Sequence, residues 1–137
     1  MNYKKLYIEL GKLLYAIAKV DGVVQESEKK ALREIVKNEL APLESSIDKF
    51  GSDQAFYTEF EFETLEMNNT PYKAALNSWI NYARTHADVF NDQTIKLVFD
   101  AVKQIANAYR GTSKVEEELI DILNEEFKNI KKSNLAK

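Results

Sequence analysis

The chain has 137 residues, carries 19 basic against 22 acidic side chains for a formal charge of −3, and contains no cysteine. That balance argues against a general polyanion binder. The missing thiols exclude disulfides, thiolate zinc sites and cysteine nucleophiles. With 45% apolar and 30% charged residues but only 4 glycines and 2 prolines, the composition suits one soluble domain of long helices.

The N-terminal stretch does not read as a secretory leader, because Glu9, Lys12 and Lys19 interrupt the apolar run that follows Lys4 and Lys5. No run of about 18 uninterrupted apolar residues is present, so no membrane span is expected and a cytoplasmic chain is. Leu6, Leu10, Leu13, Leu14, Ile17 and Ala18 recur at three and four, which predicts a helix over Tyr3 to Lys19. It should stop at Gly22, where positive φ costs little. A second helix is expected from Glu26 to Leu40, burying Ala31, Leu32, Ile35 and Val36 and ending at Pro42.

Between Leu43 and Met67 the pattern is mixed. Leu43, Ile47 and Phe50 continue a helical face to Gly51, and Ser52 or Asp53 can cap a helix carrying Phe56, Phe60 and Leu65. The alternation Phe60-Glu61-Phe62-Glu63 has the period of a strand, yet no second strand is visible to pair with it. A short helix or an irregular connector is expected. The aromatic and acidic stretch Phe56 to Glu63 reads as core, with part of its face left for a partner.

Thr70 as N-cap and Pro71 at the first helical position open a helix to Arg84, presenting Ala75, Leu76, Trp79, Ile80 and Ala83, with Trp79 and Tyr82 as packing residues. Asn91 caps the next, over Asp92 to Ala108, and Gly111 marks its end. Ser113-Lys114-Val115-Glu116 is a capping box opening the last helix, whose stripe is Val115, Leu119, Ile120, Leu123 and Phe127. Lys128 to Lys137 reads as a frayed, solvated basic tail rather than a lipid-binding one. The fold class expected is all-α, six to eight helices in a single domain over 1–137, with two hairpins packed together. Laying Ile17 on Ile105 also lays Ala18 on Ala106 and Glu28 on Glu116, a shared turn plan that makes internal duplication plausible.

The segment Ile17-Ala18-Lys19-Val20-Asp21-Gly22, with Glu28 six residues after the glycine and Ala31, Leu32 and Ile35 beyond it, resembles the TerB-like family associated with tellurite resistance. The resemblance implies a compact helical domain with a bacterial role in metal or oxyanion stress. It also implies metal binding through acidic residues, carried over here to Asp21 and Glu28 alone. The second hairpin departs from the pattern, with Tyr109-Arg110-Gly111 where the carboxylate would stand.

The residues themselves offer a competing account of that turn. Asp21 can accept turn amides, and Glu28, at the third helical position, can reach back to the cap amide. Hard cations ask for about six oxygens, and the EF-hand spacing fails because Val23, Gln25 and Leu32 stand at ligand positions. His86 lacks HExxH, cysteine or a second histidine beside it and reads as a helix-end residue. There is no GxSxG elbow, GxGxxG or Walker loop. The expected function is therefore non-catalytic: a module for protein interaction or self-association in a tellurite-type stress response, its company a protein partner or a homodimer and not nucleic acid. The alternative is a divalent cation held at the Asp21 turn.

Overall fold

Leu13 to Ala18 are all at most 1% exposed, so the first helix is covered on every side there. A helix apolar all round belongs inside a protein, and this one is the hub of the structure. The computed structural model describes residues 3–40, 55–109, 111 and 113–135. Among them lie six α-helices: α1 Tyr3–Lys19, α2 Glu26–Ile35, α3 Phe56–Met67, α4 Tyr72–Thr85, α5 Asp92–Asn107 and α6 Lys114–Leu135. Among the described residues there is no strand. The all-α expectation holds. The readings at Pro42, Leu43, Ile47, Phe50, Gly51, Ser52 and Asp53 lie outside the described residues.

α1 packs most extensively against α3 and α4 and then against α5, while α2 also rests on α5. The crossing with α3 is close because Gly11 has no side chain. A Cβ there would meet the Thr58 carbonyl oxygen at 2.6 Å and Glu61 Cβ at 3.0 Å. Thr58, itself buried, donates its hydroxyl to the Tyr7 carbonyl across the same crossing at 2.7 Å. α1 meets α4 through a polar contact. Glu9, 2% exposed, accepts Lys12 Nζ at 3.0 Å and Ser78 Oγ at 3.1 Å, so its buried charge is paired and hydrogen-bonded.

α2 reaches Leu40 through a wider π turn over Val36–Leu40, which turns Val36 and Leu40 both inward. α3 is a full helix rather than an irregular connector, and its buried face differs from the expected one. Ala55, Thr58 and Phe62 are buried and Leu65 partly so, whereas Phe56 and Phe60 face solvent. The apolar spacing of Phe56 and Phe60 does form one side of a helix. The other side wins the core because the Thr58 backbone packs directly on Gly11.

Asn69 closes α3 in the left-handed region at φ 49°, its amide donating to the Glu66 carbonyl and the Thr70 amide to the Leu65 carbonyl. This pairing satisfies two of the last carbonyls of the helix. It also engages the Thr70 backbone, so Pro71 rather than Thr70 takes the N-cap position of α4 and the helix starts at Tyr72. Tyr15 donates its hydroxyl to the Thr70 carbonyl at 2.6 Å, and Lys19 Nζ donates to Asn69 Oδ1 at 2.7 Å, tying the α3–α4 link to α1.

Around Trp79 an aromatic cluster joins the second half of the chain. Phe90 meets Trp79 edge-on at 5.5 Å, Phe127 lies 5.5 Å from Phe90, and Phe99 lies 5.2 Å from Phe127. α6 runs on through Leu135 with Ile130 buried and Asn134 donating to the Ala87 carbonyl, which corrects the expectation of a frayed tail from Lys128. Val115 is also corrected. It is 41% exposed, and Glu116 takes the buried place beside Leu119, Leu123 and Phe127. No helix among the described residues is long and apolar enough to cross a membrane.

Candidate functional site

Both hairpin turns are built to one plan. Gly22 has φ 107° and Gly111 φ 78°, conformations that favour glycine, and each turn delivers the chain to a helix whose third residue is glutamate. Glu28 Oε1 accepts the Gln25 amide at 2.7 Å, and Glu116 Oε1 accepts the Ser113 amide at 2.9 Å. Ser113 Oγ returns the favour by accepting the Glu116 amide at 3.1 Å. These are the contacts of capping boxes, expected from the sequence at both positions.

The two turns also meet. Ser113 donates its hydroxyl to Asp21 Oδ1 at 3.1 Å, across 92 positions of sequence. Asp21 is exposed, whereas Glu28 is 3% and Glu116 2% exposed. Burial pushes the Glu28 carboxyl up to about 7, with the charges of Glu116 and Asp21 adding to the rise and the Gln25 amide opposing it. Burial, followed by Asp21, likewise raises Glu116 against two stabilising bonds from Ser113. Three carboxylates thus feel one another.

The predicted pair Asp21 and Glu28 is therefore brought into one neighbourhood, joined by Glu116. Each has an assigned partner in the fold. Among the described residues no group of three or more His, Cys, Asp or Glu side chains is arranged to hold a metal ion. His86 sits at the end of α4, its ring stacked 4.5 Å from that of Tyr82 and its Nδ1 3.1 Å from the Tyr82 carbonyl oxygen.

The outer face of α3 is the other candidate. Phe56, Phe60 and Met67 fall in one line along the helix, with Tyr57 beside them. Phe60 is 57% and Met67 84% exposed. Helical spacing sets Glu59 and Glu66 along one flank of this stripe and Glu63 within it, between Phe60 and Met67. On that flank Lys29 reaches Glu66 Oε2 at 3.0 Å, and Lys4 places its ammonium 4.7 Å from the Tyr57 ring centroid on the far side. Glu59 is raised by burial first and then by Glu63 one turn on, with Arg33 pulling the other way.

The sequence pattern places Phe56, Phe60 and Leu65 on the packed side; the close crossing of Thr58 on Gly11 turns Phe56 and Phe60 to solvent instead. Comparison with known protein families, with curated proteins and with solved structures finds no match to this chain.

Proposed function

We propose that the protein is a non-catalytic helical module for protein interaction, acting through the outer face of α3, in a bacterial stress response of the tellurite type. The observation that carries this reading is the line Phe56, Phe60 and Met67 left in solvent on a helix whose other side is fully packed. Aromatic and methionine side chains are enriched where proteins meet, and contiguous exposed apolar stripes mark contact surfaces. The stress setting is supported by the resemblance of the Ile17 to Glu28 segment to the TerB-like family.

The test is crosslinking in the native cells followed by mass mapping, alongside sedimentation of the purified chain. Crosslinks concentrated on 56–67 and lost in Phe60→Ser support the reading. A strictly monomeric profile with no crosslinked partner overturns it. A second reading, a divalent cation at the Asp21 turn, draws on the convergence of Asp21, Glu28 and Glu116. It requires calorimetric heat with Ca²⁺, Mg²⁺, Mn²⁺ or Zn²⁺ that disappears in Asp21→Ala, and fails if none of the four gives heat.

A further inference from the structure

α3 carries four carboxylates, Glu59, Glu61, Glu63 and Glu66, and no basic residue. Three of them form a ridge on the exposed side: Glu59 and Glu66 flank the line of Phe56, Phe60 and Met67, and Glu63 falls within that line between Phe60 and Met67. We propose that this face receives a basic amphipathic segment of a partner protein. Its apolar side chains would cover Phe56, Phe60 and Met67, and its lysines or arginines would lie along the glutamate ridge. The proposal rests on the reading of α3 as a contact surface and adds the chemistry of what it contacts.

No basic residue of α3 itself balances these glutamates; from α2, Lys29 pairs with Glu66 and Arg33 acts on Glu59. Glu59 and Glu63 stand one turn apart, a like-charge pair that raises Glu59 after burial has done so, with Arg33 opposing. A cation placed between them relieves that repulsion. The protein already shows both modes of cation reception on this helix, in Lys29 on Glu66 and Lys4 over Tyr57. From Phe56 to Met67 the stripe spans about 16 Å, the length of roughly 11 helical residues in a partner.

Charge also chooses among occupants. An anionic lipid surface or a nucleic acid would be repelled by the ridge. A second copy would have to bring its own basic end, yet Lys128 is paired with Glu125 at 3.3 Å and Lys131 with Asp92 at 3.4 Å. Two chains of charge −3 also repel.

The experiment uses the full chain and a fluorescent synthetic helix of about 14 residues, leucine on one face and lysine on the other, with a glutamate-for-lysine helix as control. The lysine helix should bind and the glutamate helix should not. Phe60→Ser and the double variant Glu59→Gln with Glu63→Gln should each weaken binding roughly tenfold or more, while Asp121→Asn on α6 should change it less than about twofold. Equal weakening by Asp121→Asn, indifference to Phe60→Ser, or no binding overturns the proposal. So does a concentration-dependent dimer abolished by Phe60→Ser, which would identify a second copy as the occupant. If the lysine helix fails while crosslinks in cells still map to 56–67, the partner's chemistry is wrong and the contact surface stands. If those crosslinks avoid α3, the contact surface itself is wrong.

Discussion

Asp21 accepts the Ser113 hydroxyl at 3.1 Å, and the same Ser113 oxygen accepts the Glu116 amide that opens α6. One aspartate therefore serves two turns: it belongs to the first hairpin and orients the cap of the second. The second hairpin has no carboxylate of its own at that position and receives one through space. Hydroxyl-to-carboxylate bonds at exposed positions contribute about 0.5–1.5 kcal/mol. A double-mutant cycle of Asp21→Ala and Ser113→Ala, read by urea unfolding, should give a coupling of about 0.5–1 kcal/mol, and strict additivity would break the link.

Glu28 sets a pH dependence. Its folded pKa of about 7 lies above the ordinary value of 4.5, so between those pH values the folded chain holds a proton that the unfolded chain has released. Stability then falls as pH rises through that window and is highest below it. Glu28→Gln keeps an oxygen for the Gln25 amide without a charge to bury. It should match the native protein at pH 5 and exceed it by about 1–2 kcal/mol at pH 8, leaving the slope that Glu116 contributes. Glu28→Ala removes the acceptor and should cost about 1 kcal/mol near pH 5. Denaturant titrations across pH check all three.

Gly11→Ala opposes helix propensity to packing. Alanine gains about 1 kcal/mol over glycine in a helix interior. Here its Cβ would sit 2.6 Å from the Thr58 carbonyl oxygen, and that atom is backbone. α1 and α3 must separate, stretching the Thr58 to Tyr7 bond, and overpacking of this kind costs about 1–3 kcal/mol. A net loss of up to about 2 kcal/mol is expected, and a stabilised Gly11→Ala would contradict the crossing.

Phe60 and Phe62 stand two residues apart on opposite sides of α3. Phe62 is fully buried and edge-on to Tyr15 at 5.7 Å, whereas Phe60 is 57% exposed. Phe62→Ala should cost about 3–5 kcal/mol and Phe60→Ala less than about 0.5 kcal/mol. Thermal melts of the two variants decide it, and a reversed order would mean that the faces of α3 are exchanged.

Local patterns made most of the fold legible. α1 begins and ends where the apolar spacing and Gly22 place it, Asn91 caps α5 through Thr94, and the Ser113 to Glu116 box closes as its spacing requires. What the sequence hid is contact between distant positions. Thr58 does not look like a core residue until Gly11 is set opposite it; that glycine inside a helical pattern was the available signal. Glu28 and Glu116 could be read as caps, but their shared burial and the hydroxyl of Ser113 reaching Asp21 depend on the packing of two hairpins.

The link between α3 and α4 is a loop only in name. Its amides at Asn69 and Thr70 are spent on closing α3, its Thr70 carbonyl is held by Tyr15 from within the hub helix, and Asn69 is gripped by Lys19. Exchange of the Thr70 amide proton with solvent deuterium must wait for its bond to Leu65 to open, and the Tyr15 hydroxyl on the Thr70 carbonyl opposes that opening, so this short surface segment should exchange more slowly than a free loop.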